Sequence, residues 1–305
     1  MNIAEELKLV FRKGNTLYKL IFINVVIFLV IGLIFVIYRL FTPGITLNDL
    51  QNLYSKGFLK YLMVPSIPGE LLRSPWTIVT YMFTHFNFLH ILFNMLILYW
   101  FGRIFLQYLT EKQLLSTYVL GGLAGAILFI IFVNIFPGLR EHLGSSMLGA
   151  SAAIMAIVIA ISLYVPDYTI YMLFIGPVKL KYIALGFIVL DVLMIASYNA
   201  GGHIAHLGGA LYGYLFINRY KKGIDIGKWL NRLLDSFAEL FKPYPKLNVT
   251  YRKAKKTTSD AEYNRIKIEQ QKEIDRILDK IAKAGYESLS KKEKETLFNM
   301  SNKNK

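Results

Sequence analysis

Apolar residues in this chain gather into runs close to twenty residues long, the first two separated by a long loop and the rest by shorter turns, and give way after residue 218 to a charged tail. The runs lie at about 20–38, 87–107, 114–136, 147–164, 180–198 and 202–218. Each approaches the length a helix needs to cross roughly 30 Å of hydrocarbon. A helix also satisfies its own backbone hydrogen bonds where water is absent. The pattern therefore predicts an all-α, polytopic membrane protein. A cytoplasmic segment over 1–19 precedes a six-span membrane domain over 20–218, and a helical cytoplasmic tail follows. The first run is long for a cleaved signal and is followed by YRLFTPG rather than a small-residue cleavage site. It is expected to stay as an anchor.

The tail has its own periodicity. Within 219–245, the stretch GKWLNRLLDSFAELFK sets Trp229, Leu230, Leu233, Leu234, Phe237, Leu240 and Phe241 on one helical face, with Lys228, Arg232 and Asp235 opposite. That is the pattern of a juxtamembrane helix lying on the inner leaflet. KPYPK breaks it. The remainder, 246–305, reads as a basic helical tail that opens on a polar linker over 246–260. Ile266, Ile274, Ile277, Leu278 and Ile281 then recur along a helix that ends at Gly285. SKKE (Ser290 to Glu293) has the form of a capping box opening a last short helix.

Charge orients this arrangement. The 305 residues carry a net charge of +15. Residues 219–305 hold 22 Lys and Arg against 12 Asp and Glu, and the first 19 residues add Lys8, Arg12, Lys13 and Lys19. Basic flanks mark the cytoplasmic side of a membrane. An even number of spans puts both basic termini there, with a bacterial inner membrane as the expected location. The loop over 39–86 then lies outside, its Trp76, Tyr81, Phe83 and Phe86 suited to the headgroup level. No nucleic-acid recognition motif accompanies the charge, so lipid is the expected partner and nucleic acid is not. The chain has no cysteine, which excludes disulfides, cysteine-ligated zinc and a thiol nucleophile.

Against this apolar background the polar residues stand out. Four of the five histidines, His85, His90, His203 and His206, lie in or beside predicted spans. Ionisable groups at membrane depth are costly and mark functional sites by default. With six spans, Ser151 lies about one turn inside span four, His206 in the first turns of span six, and His90 and Asn94 one turn apart on span two. All four fall in one layer near the outer face. Ala205, Gly209 and Gly213 recur every four residues, a stripe that lets helix backbones approach closely. Gly149 and Ala153 offer a matching small face on span four. The plainer reading of Ser151 is a hydroxyl bonded back to its own helix.

These residues carry a family resemblance. HFNFLHILFN (His85 to Asn94), GAS (Gly149 to Ser151) and AHLGGALYG (Ala205 to Gly213) resemble, in order and spacing, the signatures of the rhomboid intramembrane serine proteases. The resemblance covers roughly 20–218 and implies a six-helix rhomboid-like bundle. It implies Ser151 as nucleophile and His206 as general base. His90, Asn94 and the Ser151 N–H would hold the oxyanion, and His85, Gly149 and Gly209 would support the site. Gly209 and Gly213, three and seven residues after His206, select it over His203 as the base. The chain departs from the family at Ala152, where glycine is usual, at Thr77, where arginine is frequent, and at Gln107, where glutamate is common.

The implied activity is an endopeptidase that cuts the transmembrane helices of other proteins with a Ser-His dyad and no cofactor. No acidic third member is expected, since Asp191 falls near the middle of span five. Two other readings follow from the same residues. A catalytically inactive relative would bind and escort membrane proteins. A metal site would use the four histidines, though no acidic partner accompanies them in the sequence, so no metal is expected. The substrate, the tail's partner and the oligomeric state are not written in the sequence.

Overall fold

The computed structural model describes residues 14–172, 175–197, 199–240 and 260–303. The basic residues Lys8, Arg12 and Lys13, the KPYPK break and nearly all of the 246–260 linker lie outside them. The chain forms two compact units, 1–242 and 243–305.

In the first unit, helix α1 (Thr16–Leu40) starts behind Asn15, whose side chain accepts from the Tyr18 N–H. The next connection carries α2 (Leu47–Gly57), strand β1 (Val64–Pro65), α3 (Pro68–Arg73) and α4 (Thr77–Thr80). Then come α5 (Phe88–Tyr108), α6 (Glu111–Ile135), strand β2 (Ser146–Met147) and α7 (Ser151–Tyr164). A hairpin of β3 (Thr169–Met172) and β4 (Gly176–Lys179) leads to α8 (Leu180–Leu193), α9 (Ala200–Tyr220) and α10 (Lys228–Leu240).

Every apolar run thus carries a helix, but only α5 has its predicted length, 21 residues. Helices α1, α5 and α6 are long and apolar enough to cross a membrane. Helices α7 and α8 have 14 residues each. The run expected from 147 becomes helical at Ser151, because Gly149 has φ +119°, outside any right-handed helix. The run expected to reach 198 leaves the α-helix at Leu193 and ends in a 3-10 turn over Met194–Ala196. Helix α9 has 21 residues, diluted by glycine and histidine.

Helix α7 is the centre of the bundle, with every residue from Ala152 to Ser162 buried. Small residues let its neighbours close on it. A Cβ built at Gly209 or Gly213 of α9 would collide with the carbonyls of Ala152 and Ala156. On the other side, Gly121 and Gly122 of α6 face Ala156 and Ala153. In lipid such contacts supply the association that water would drive elsewhere. The α9 stripe therefore meets Ala152 and Ala156, not the expected face of Gly149 and Ala153.

The 39–86 connection is built rather than draped. Tyr81 is fully buried, and its hydroxyl donates to the Gly122 carbonyl at 2.6 Å. Its ring is therefore packed inside the protein and does not face headgroups. The Tyr54 hydroxyl donates to the Ile31 carbonyl, and Trp76 Nε1 to the Tyr61 carbonyl. At the opposite end, the turn expected between spans four and five is the β3–β4 hairpin, Thr169 pairing with Lys179. Asp167 holds Lys179 and Lys181 at 3.0 and 2.9 Å. Its hydrogen bonds to Lys181 and then Lys179 keep its carboxyl below the usual range.

Helix α10 keeps Trp229, Leu233 and Phe237 exposed while Leu230 is buried. In the second unit, α11 (Asp260–Ala284) ends at Gly285, φ +78°, and α12 (Lys291–Lys303) follows. Its capping box forms as the sequence predicts: Ser290 N–H donates to Glu293 Oε2 at 2.8 Å and Glu293 N–H to Ser290 Oγ at 3.3 Å.

Candidate active site

A cavity of about 1110 Å³ opens among α5, α7 and α9, and Ser151, His206, His90 and Asn94 all line it. Ser151 is the first residue of α7, His90 and Asn94 the third and seventh of α5, and His206 the seventh of α9. At roughly 1.5 Å per residue, every one of them lies within about 9 Å of a helix end. As the opening residue of α7, Ser151 has no preceding helical turn to bond back to. The plainer reading of its hydroxyl therefore fails on position. The N–H groups of the first turn have no partners within their helix and carry the positive end of its dipole.

The approach to Ser151 is fixed from three directions. Strand β2 pairs with β1, Val64 opposite Met147. Ser66 Oγ accepts from the Gly144 N–H at 2.9 Å, and the Gly149 N–H donates to the Tyr81 carbonyl at 2.9 Å. At Gly149 a Cβ would fall 2.6 Å from His90 Cε1, so both its positive φ and its neighbour demand glycine.

His85 is fully buried behind the cavity wall. Its Nε2 accepts from the Ala150 N–H at 3.3 Å and lies 3.0 Å from Asn94 Nδ2. An acceptor at Nε2 puts the ring proton on Nδ1. One imidazole thus orients the Asn94 amide and the backbone just before Ser151. Ala152, the departure from glycine, points its methyl at Gly125 of α6, where a Cβ would approach to 2.6 Å. The extra carbon is taken up where the facing helix lacks one. Thr77 is buried and donates to the Ser74 carbonyl, and Gln107 is exposed on α5.

Asp191 overturns the expectation that no acid reaches the histidines. Its Oδ1 lies 2.8 Å from His206 Nδ1 and 2.8 Å from His203 Nδ1. The reason is the early end of α8: Asp191 sits two residues from its last residue instead of mid-span, beside the first turns of α9. The carboxylate is nearly buried, while each imidazole keeps about a fifth of its surface. An ionised carboxylate only accepts, so each ring donates through Nδ1, and in the neutral ring of His206 Nε2 is left as an acceptor. The sequence signal was present, a charge in an apolar run, but its reach depended on where the helix stopped.

A family model described as "Rhomboid domain" matches residues 72–221. This chain belongs to the rhomboid family, whose members are generally intramembrane serine proteases. The match omits α1, so it begins well after the expected residue 20. A second model, described as a family of unknown function (DUF6576), matches residues 257–303. "RHOMBOID-like protein 12, mitochondrial" of Arabidopsis thaliana is 30% identical over 157 residues, 48% of this chain and 47% of its own length. "Presenilin-associated rhomboid-like protein A, mitochondrial" of Danio rerio is 30% identical over 143 residues, 44% of this chain and 35% of its own. The Homo sapiens "Presenilin-associated rhomboid-like protein, mitochondrial" is 28% identical over 156 residues, 49% and 38% of the two chains. The rhomboid chain described here spans less than half the length of these relatives. It is a multi-pass membrane protein. The relatives are mitochondrial by name and give the expected bacterial inner membrane no support.

Proposed function

We propose that this rhomboid protein is a serine endopeptidase acting on peptide bonds in or near the transmembrane helices of other proteins. One observation carries the reading: a hydroxyl at a helix N-terminus and an imidazole with its Nδ1 on a carboxylate open on one cavity. In this reading Nε2 of His206 takes the proton from Ser151 Oγ as that oxygen attacks the scissile carbonyl. Asp191 accepts from Nδ1, holds the ring in the tautomer that leaves Nε2 free, and stabilises the imidazolium. The developing oxyanion is received by the Ser151 N–H, Asn94 Nδ2 and His90. His206 then returns the proton to the leaving amine, and water repeats the sequence on the acyl-enzyme.

A site within two turns of the helix ends admits that water. The substrate strand must first give up its own helical hydrogen bonds, so glycine, proline and small polar residues mark segments that unwind easily. All six runs span the bilayer in this reading, both basic termini face the cytoplasm, and α10 lies on the inner leaflet through Trp229, Leu233 and Phe237. The escort alternative drew its strength from Ala152, and a methyl seated against Gly125 weakens it. The test is labelling of the metal-free protein with a fluorophosphonate probe. Modification at Ser151 is expected, and is expected to be lost in Ser151→Ala and His206→Ala. A wild-type protein that is not modified, and that cleaves no transmembrane substrate in proteoliposomes, removes the reading.

A further inference from the structure

A general base needs one acceptor at Nδ1, yet here two imidazoles converge on one carboxylate oxygen. The other oxygen, Asp191 Oδ2, is buried without a hydrogen-bond partner. One ligand atom from each of Asp191, His203 and His206 lies within 4.8 Å of the others. Two imidazole nitrogens and a carboxylate oxygen are the donor set of three-ligand zinc sites that keep a fourth position open. Bonds of roughly 2.0–2.2 Å require only that the rings pivot slightly outward from their hydrogen bonds. Both rings are partly exposed and the carboxylate brings the negative charge. Imidazole suits zinc, copper and nickel, whereas magnesium and calcium favour all-oxygen sites.

We propose that Asp191, His203 and His206 bind a divalent transition-metal ion of the zinc class, and that the bound ion switches the serine site off. The second half follows from the tautomer. A metal on Nδ1 occupies the lone pair there, so the proton of the neutral ring moves through solvent to Nε2. No proton is lost overall, but Nε2 of His206 becomes a donor and can no longer take the proton of Ser151. The binding half stands on the three ligands alone. The inhibitory half rests on the hydrolase reading above.

The test uses the full chain in lipid nanodiscs, metal-free and without a histidine tag, titrated with Co²⁺ and followed by its visible ligand-field absorption. The band is expected to saturate at one equivalent and to be displaced by Zn²⁺ but not by Mg²⁺. Asp191→Asn and His203→Gln are each expected to weaken binding at least tenfold. His203→Cys is expected to restore it and to add a thiolate-to-cobalt charge-transfer band, which reports that ligand alone because the chain has no other cysteine. In parallel, fluorophosphonate labelling of Ser151 should fall at least tenfold at saturating Zn²⁺ and return with chelator. Absence of a saturable band, or binding unchanged in His203→Gln with no charge-transfer band in His203→Cys, overturns the site. One equivalent bound with labelling unchanged overturns the switch. A metal-free protein that never labels overturns the hydrolase reading and leaves the cobalt result standing.

Discussion

Gly125→Ala tests whether the packing of the bundle sets the geometry of the site. The added Cβ falls 2.6 Å from the Ala152 methyl and 2.8 Å from the Ala205 carbonyl oxygen, where ordinary contact begins at 3.4 Å. Helices α7 and α9 must each retreat from α6 by about 0.6–0.8 Å to reach ordinary contact. Ala152 follows Ser151 in the chain and Ala205 precedes His206, so both proposed reacting groups are carried along. A misplacement of about 1 Å costs roughly a hundredfold in rate. The expected loss in kcat/KM is therefore about 10- to 100-fold, or about 1.4–2.7 kcal/mol of transition-state stabilisation. Overpacking should also lower stability by about 1–3 kcal/mol. The assay is cleavage of a fluorogenic transmembrane substrate in proteoliposomes, beside thermal melting of the same preparations. Adding Ala152→Gly removes the methyl but leaves the Ala205 carbonyl, so recovery should be partial, with a coupling of at least about 0.5 kcal/mol between the two sites. A single variant within threefold of wild type, or a strictly additive double variant, refutes the claim that this contact holds Ser151 and His206 in register.

Three further outcomes are expected. Asn94→Ala should lower kcat by the equivalent of about 3 kcal/mol with KM nearly unchanged; a change confined to KM in steady-state kinetics would place Asn94 in substrate binding instead. Asp191→Asn should reduce kcat by about 10²–10⁴ while KM holds, the signature of a base in the wrong tautomer, and parity with wild type would leave the carboxylate without a part in turnover. In the tail, the Ser290 N–H and then Lys280 hold the Glu293 carboxyl down at about 2. A depressed folded value contributes stability that is full above the ordinary value of 4.5 and is lost as pH falls through about 2. Amide protection at Glu293 and Lys294, taken relative to the intrinsic exchange rate at each pH, should therefore fall across that window in the wild type and stay flat in Glu293→Gln.

The runs of apolar residues marked where helices lie, because twenty uninterrupted apolar residues have few other ways to satisfy their backbone. They were poor guides at two ends, the start of α7 and the stop of α8. Helix α7 begins four residues late because Gly149 takes a positive φ beside His90, a local demand invisible in hydropathy. The 39–86 connection looked like a loop because its helices are short and its contacts distant in sequence, such as Tyr81 to Gly122. The β3–β4 hairpin was masked because its aromatic and aliphatic residues carry no clear strand alternation and read only as a turn between the fourth and fifth runs. By contrast the glycine stripe of α9 was legible: spacing alone shows that a face is small. Which residues that face meets was not, since the match to Ala152 and Ala156 depends on the axial offset of two helices.

Asp191 shows the same limit at the level of chemistry. A charge within an apolar run announces itself in one dimension, but its partners depend on depth and direction together. Had α8 run to residue 198, Asp191 would have lain nearly two turns from its end, out of level with the first turns of α9. Ending at Leu193 instead, the helix delivers the carboxylate to both His203 and His206. The glycine spacing that singled out His206 as the base therefore told half of the story. It identified an imidazole that lines the same cavity as Ser151, and it was silent on the second imidazole that competes for the same oxygen. Two rings on one acceptor make the orientation of His206 depend on His203, so a metal that binds His203 acts on His206 through Asp191.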